Sequence, residues 1–191
     1  MLNSEYERKD NSMKNAILNW SKRRYSKRQR LIALIPACLL FLIGIPFALV
    51  ILSPFIDTYL RLPKFVLEPL NIIVALFLII PGLSFSAWSV WVQFKIGGGT
   101  PIPMMPTQKL VVDGPYAYCR NPMTLGMIIF YFGISVWIGS LSSIGLTVLF
   151  TALIIAYVKL VEEKELEARF GEEYIKYKKR TPFLIPKRRK K

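Results

Sequence analysis

The sequence predicts an all-α integral membrane protein with about four, or at most five, transmembrane helices. Three observations predict it. Four long stretches are almost purely apolar, Leu31–Ser53, Pro69 to about Gln93, Met123–Ile138 and Leu141–Val161. The charge is segregated away from them: of 26 Lys and Arg, nine lie in residues 1–30 and eleven in residues 162–191. The composition is 53% hydrophobic in only 191 residues, too small a chain to bury four such stretches in a soluble core.

A hydrocarbon core of about 30 Å takes roughly 20 apolar residues as helix. The first run meets that length with no charge inside it, and membrane helices tolerate its Pro36, Gly44 and Pro46. It follows thirty polar, basic residues with no prompt small-residue cleavage pattern, so a retained span is expected rather than a cleaved signal. Pro81 and Gly82 interrupt the second run, where a kink is expected. The third run is short. Between it and the fourth stand only Gly139 and Ser140, which leave room for a tight helical hairpin.

Both ends are strongly basic, the 54–68 loop balances Arg61 and Lys64 against Asp57 and Glu68, and the hairpin turn has no charge. Four spans with both termini cytoplasmic satisfy the positive-inside rule. The 97–122 loop then shares the cytoplasmic face with the C-terminal tail. The basic ends are expected to meet anionic lipid. Residues 16–30, with Ile17, Leu18, Trp20 and Tyr25 among basic residues, are read equally as an interfacial helix or a disordered anchor. The division expected is a basic segment 1–30, two spans within 31–96, and a core of loop, hairpin and C-terminal helix over 97–191.

Composition excludes several functions. There is no histidine, which removes the commonest metal ligand and general base together. Cys38 and Cys119 are too few for a disulfide framework or a zinc site, so no metal is expected. Nucleic acid is not expected as a partner, because membrane orientation already accounts for the basic tails. The chain ends in Lys190 and Lys191, without a prenylation box.

Two segments carry chemistry. From Gly97 the chain reads Gly-Gly-Gly-Thr-Pro-Ile-Pro-Met-Met-Pro, which cannot be regular helix. Gln108 to Pro122 follow, crowding tyrosines, Arg120 and Asn121 against the start of an apolar helix. Connections this long are often functional. Asn121-Pro122 reads as an N-cap with proline in the first turn, and a helix start offers free N–H groups to an anion. Arg120 would add a bidentate carboxylate partner. The plainer reading makes Arg120 and the tyrosines interfacial anchors, and it carries equal weight.

The second segment runs from Val161 to Tyr177 and holds six of the twelve acidic residues. Leu166, Phe170, Tyr174 and Tyr177 recur at helical spacing and predict one face of a helix that continues the fourth span. Glu165, Glu167, Glu172 and Glu173 read as a solvated face. Glu162 and Glu163 stand nearest the bilayer, where an acid is costly without a partner, and read as site residues. Lys159 and Glu163, four apart, are expected to pair.

The string Gly114-Pro115-Tyr116 … Arg120-Asn121-Pro122-Met123-Thr124-Leu125-Gly126, followed by Glu162-Glu163 … Leu166 … Phe170-Gly171-Glu172-Glu173-Tyr174 … Tyr177 … Pro186, resembles the signatures of the isoprenylcysteine carboxyl methyltransferases and related phospholipid methyltransferases. The resemblance covers about residues 97–186. It implies methyl transfer from S-adenosylmethionine to a lipophilic or lipidated substrate, in a cytoplasmic pocket formed by the 97–122 loop and the C-terminal helix. Matching positions imply cofactor contacts from Gln108, Lys109, Leu110, Val111, Tyr116, Asn121, Pro122, Met123, Thr124 and Glu162. Arg120 and Glu163 are then the catalytic candidates, and Lys159 is the nearest cation to where the family keeps a substrate-side arginine. Asn121 stands where the eukaryotic enzymes carry histidine, and Thr124 where tyrosine is usual. The asparagine form resembles a prokaryotic subgroup, which implies a prokaryotic cell membrane. A non-catalytic lipid-binding or assembly protein of the same fold is the competing reading.

Overall fold

The computed structural model describes residues 25–100 and 105–187. Five helices order this part of the chain: α1 (Lys27–Leu60), α2 (Leu70–Ile96), α3 (Pro122–Ile138), α4 (Leu141–Phe170) and α5 (Glu172–Arg180). Among the described residues there is no strand, only one bridge between Lys64 and Ser140. Helices α1, α2 and α4 are each long and apolar enough to cross a bilayer. At 17 residues, α3 spans about 26 Å. Their outward faces carry exposed Leu, Ile and Phe, as lipid-facing surfaces do. The chain is an all-α membrane protein.

Helix α1 starts at a capping box, in which Ser26 and Gln29 each accept the other's backbone N–H. The interfacial helix considered for residues 16–30 falls mostly outside the described residues; Lys27 to Arg30 are simply the first turn of α1. Midway, Leu39–Gly44 widens to a π-helix, where Ile45 N–H bonds Leu40 C=O. The matching donor for Phe41 C=O would be residue 46, a proline with no N–H. The Tyr131 hydroxyl of α3 donates to that carbonyl instead, at 2.9 Å. A buried polar group is thus satisfied between helices where lipid offers no water.

α1 was expected to end at Ser53, with Asp57 in the following loop. Instead it runs to Leu60. Asp57 is buried at 2% exposure, and its Oδ1 accepts from the Ser142 N–H at 3.1 Å and the Ser142 hydroxyl at 2.5 Å. The carboxylate therefore sits on the N-terminus of α4, where the helix dipole favours it, and a charge that looked like a loop signal belongs inside the bundle.

Helix α2 passes through Pro81 and Gly82 unbroken. Gly82 is where α3 makes its closest approach: a Cβ there would stand 2.7 Å from both Gly126 O and Phe130 N. Ser86 donates to Met123 O at 3.0 Å across the same contact. Small residues that admit a neighbouring backbone are how helices associate in lipid. The α3–α4 hairpin is as tight as its two-residue turn predicts. Gly139 has φ +66°, and Ser140 caps α4 by accepting from Ser143 N–H. Leu49 of α1 packs with Phe130, Tyr131 and Ile134 of α3 in the core.

The expected single helix after the fourth span is two helices. At Gly171, φ is +51° and the chain turns. The Lys178 Nζ then reaches 2.7 Å from Glu167 Oε1, eleven residues earlier, which a straight helix would hold about 16 Å away. So α5 folds back beside the end of α4.

Candidate functional site

The 97–122 loop returns along the end of α2. Gly97 C=O accepts from Gln108 N–H at 2.6 Å and Lys109 N–H at 3.2 Å. Arg169 of α4 donates to Thr107 C=O and pairs with Glu165 at 2.8 Å, which fixes the loop from the opposite side. Gly114, at φ +61°, turns the chain past Val92, and the short 3-10 turn Gly114–Ala117 brings Tyr116 inward. The Tyr116 hydroxyl donates to Gln93 Oε1 at 2.8 Å, and its carbonyl accepts the Tyr177 hydroxyl at 2.7 Å.

The segment after α5 straps the same loop. Arg120 N–H donates to Pro182 C=O at 2.9 Å, Asn121 Nδ2 to Phe183 C=O at 3.0 Å, and Lys187 N–H to Tyr118 C=O at 3.1 Å. The Arg120 guanidinium reaches Lys178 C=O at 2.7 Å, Thr181 C=O at 3.1 Å and Glu163 Oε1 at 2.7 Å. Glu163 also pairs with Lys178 at 2.8 Å.

These contacts enclose a cavity with an open mouth. Leu110, Val111, Tyr116, Asn121, Pro122, Met123, Thr124 and Glu162 all line it, as does Arg120. Two of the residues expected to bind a cofactor do not. Gln108 turns its amide onto Pro106 C=O at 3.2 Å, and Lys109 is exposed. Glu163 lies outside the lining, buried between Arg120 and Lys178. The Lys159–Glu163 pair does not form. Lys159 stands over the Phe183 ring at 5.0 Å, outside the cavity, because the arginine and lysine that face Glu163 across the strap take its carboxylate.

Sequence reasoning missed Gln93, Thr107, Leu166, Tyr174 and Tyr177 as lining residues. The helical spacing had placed Leu166, Tyr174 and Tyr177 on one face, but not around a cavity. Gln93 gave one weak signal, a polar residue near the end of an apolar run.

Glu162 is the carboxylate of this wall. The π-helical segment Val158–Glu162 sets its direction, a distortion that often marks functional sites. It makes no hydrogen bond or salt bridge among the described residues, although three other acids nearby do. The start of α3 lines the same cavity, and its first-turn N–H groups have no side-chain cap. The amide of Asn121, expected as that cap, is committed to Phe183. The cavity thus offers both a carboxyl group unpaired among the described residues and backbone donors.

Burial raises the phenols of Tyr116, Tyr174 and Tyr177 well above their ordinary range, so all three stay protonated at neutral pH. Burial also pushes the Cys119 thiol up to about 11, only partly offset by the Asn121 N–H. Cys119 has no exposed surface. It is therefore expected to resist iodoacetamide at pH 8 in the folded protein and to react after denaturation in SDS. Full modification of the native protein, read by mass spectrometry, would contradict this placement.

The profile of a family described as phospholipid methyltransferase matches residues 70–173, which run from α2 through the loop and hairpin into α5. Protein-S-isoprenylcysteine O-methyltransferase of Schizosaccharomyces pombe (strain 972 / ATCC 24843) is 35% identical over 80 residues, covering 40% of this chain. That stretch is 33% of the relative, so the chain matches about a third of its length. With more than half of its residues inside the family profile, the chain belongs to the phospholipid methyltransferase family.

Proposed function

We propose that this protein is an S-adenosylmethionine-dependent methyltransferase acting on a lipophilic or lipidated substrate at the cytoplasmic face of the membrane, with both termini on that face. The observation that carries the proposal is Glu162, a carboxyl group unpaired among the described residues, in a cavity that a helix N-terminus also lines. A methionine zwitterion carries an ammonium and a carboxylate, and these two features complement it. The residues present therefore fit the cofactor. Glu162 would hold its amino group or ribose, and the first turn of α3 its carboxylate. Leu110, Val111 and Met123 supply apolar wall.

When bound, the cofactor would supply an electrophilic methyl carried on a sulfonium. What the protein contributes is alignment and dryness. Tyr116, held by Gln93 and Tyr177, keeps the turn rigid beside the cavity. Arg120 and the 181–187 strap close it against water.

Glu162→Ala should weaken S-adenosylmethionine binding at least tenfold, read by calorimetry in detergent, with the thermal midpoint unchanged. Wild-type protein that is folded and binds no cofactor would remove the proposal. The basic ends and the match to an isoprenylcysteine methyltransferase support the inner membrane face and a lipidated acceptor.

A further inference from the structure

We infer that the 181–187 strap docks on the membrane: an anionic lipid surface covers its outward side and so steadies the cavity that the strap holds together. The docking stands on the strap's own residues, and its effect on a cofactor rests on the methyltransferase reading.

The strap has two sides. The inward side is committed to the loop: Pro182 C=O accepts from Arg120 N–H, Phe183 C=O accepts from Asn121 Nδ2, and Lys187 N–H donates to Tyr118 C=O. On the outward side Ile185 is 80% exposed, and Pro186 and Lys187 after it are exposed too.

Phe183 fixes the level of the strap. Its ring lies 5.0 Å from Lys159 Nζ and 5.7 Å from the Arg120 guanidinium. Lys159 belongs to the last apolar turn of α4. Tyr157, Leu160 and Val161 around it are exposed, as lipid-facing residues are, and the charged stretch begins at Glu162. A lysine at that position carries its ammonium out to the headgroups. Phe183, against that ammonium, therefore lies at the bilayer boundary. Ile185 is two residues on, at most about 7 Å along the chain, so it also falls within reach of the headgroup layer.

Charge selects the lipid. Lys159 and Lys187 are exposed, and neither makes a salt bridge among the described residues. The acids of α4 do not neutralise them. Glu163, Glu165 and Glu167 are paired with Arg120, Arg169 and Lys178, and Glu162 lines the cavity. In the sequence Arg188, Arg189, Lys190 and Lys191 follow directly. An apolar side chain beside a basic run is the pairing that holds a peptide on anionic lipid, where neither signal suffices alone.

Docking reaches the site through Arg120 and Asn121. Both line the cavity, and carbonyls of Thr181, Pro182 and Phe183 hold them. A strap that frays releases both residues, and one held on lipid keeps both in place.

The test places the full chain in nanodiscs of phosphatidylcholine, alone or with roughly a third phosphatidylglycerol. Amide hydrogen exchange of residues 181–187 is followed by mass spectrometry without cofactor. Exchange should be slower in the anionic discs, by about fivefold for each lysine engaged. About 0.5 M salt should remove the difference. The double variant Lys159→Gln, Lys187→Gln should shrink it, and so should Ile185→Ser; all three side chains but the Phe183 contact are exposed, so the thermal midpoint should hold. S-adenosylmethionine, measured by calorimetry, should bind at least about threefold tighter in the anionic discs.

Equal exchange in the two lipids overturns the inference, as does a lipid effect that the variants leave intact. Inorganic phosphate that reproduces the protection in phosphatidylcholine discs would show a soluble-anion site instead. Protection seen only with two chains per disc would show that a second copy covers the strap. Equal S-adenosylmethionine affinity in the two lipids overturns the link to the cavity. A wild type that binds no S-adenosylmethionine in either lipid is the separate failure of the methyltransferase reading, and the exchange measurement still decides the docking.

Discussion

Replacing Arg120 with alanine is expected to cost about 3–5 kcal/mol of stability and to release the segment from Glu172 onward. One guanidinium serves three partners on two elements, Lys178 C=O, Thr181 C=O and Glu163. Its side chain is 11% exposed and that of Glu163 7%. Without it, Glu163 keeps Lys178 as its ion-pair partner, and Lys178 is 36% exposed. The cost comes from leaving a buried carboxylate with this single, more exposed partner and from taking the donor from two carbonyls at once. Arg120→Lys keeps the charge but loses the planar fork, and should fall between wild type and alanine. Thermal unfolding followed by tryptophan fluorescence reads the first effect. Brief trypsin treatment reads the second, through cleavage in the Lys176–Arg180 run. An alanine variant that melts like wild type and resists trypsin would show that Asn121 and the backbone bonds hold the strap unaided.

Gly126→Leu should prevent α2 and α3 from packing and abolish recovery of monodisperse protein. A Cβ at Gly126 would stand 2.6 Å from Gly82 O and 2.8 Å from Ser86 N, with the Ser86 hydroxyl closer still. Two of these neighbours are backbone atoms of a helix and cannot rotate away. Overpacking of this kind costs about 1–3 kcal/mol where side chains can yield, and more where they cannot. Gly126→Ala should already sit in that range by thermal unfolding. Gly145, on α4, has nothing within 4 Å of its Cβ position. Gly145→Ala should be neutral or stabilising by up to about 1 kcal/mol, since alanine is the better helix former. Equal effects at the two positions would mean that the close approach of α2 and α3 does not matter to the fold.

The apolar runs were legible because lipid imposes length and composition on any span, and the hairpin because two residues leave no alternative. The end of α1 was not. Asp57 in a sequence looks like a membrane boundary, and only its contact with Ser142 shows it inside. In the site, Glu162 and the turn of α3 stood out because an acid beside a bilayer and a proline behind an asparagine are each unusual. Glu163 looked equivalent to Glu162, and one helical step separates them. The π-helical segment turns the first into the cavity and leaves the second to Arg120 and Lys178, a distinction no periodicity carries. Gln93 was hidden because its importance comes from Tyr116, 23 positions away.

The strap that runs over Tyr118 to Asn121 also sets an order of events in synthesis. The partners of Arg120 lie 58 and 61 residues further along the chain. α5 and the strap can therefore dock on Tyr118 to Asn121 only after both helices of the hairpin have been made. The bonds that fix Arg120 and Asn121 span the whole hairpin, so they close around it rather than forming within the loop itself.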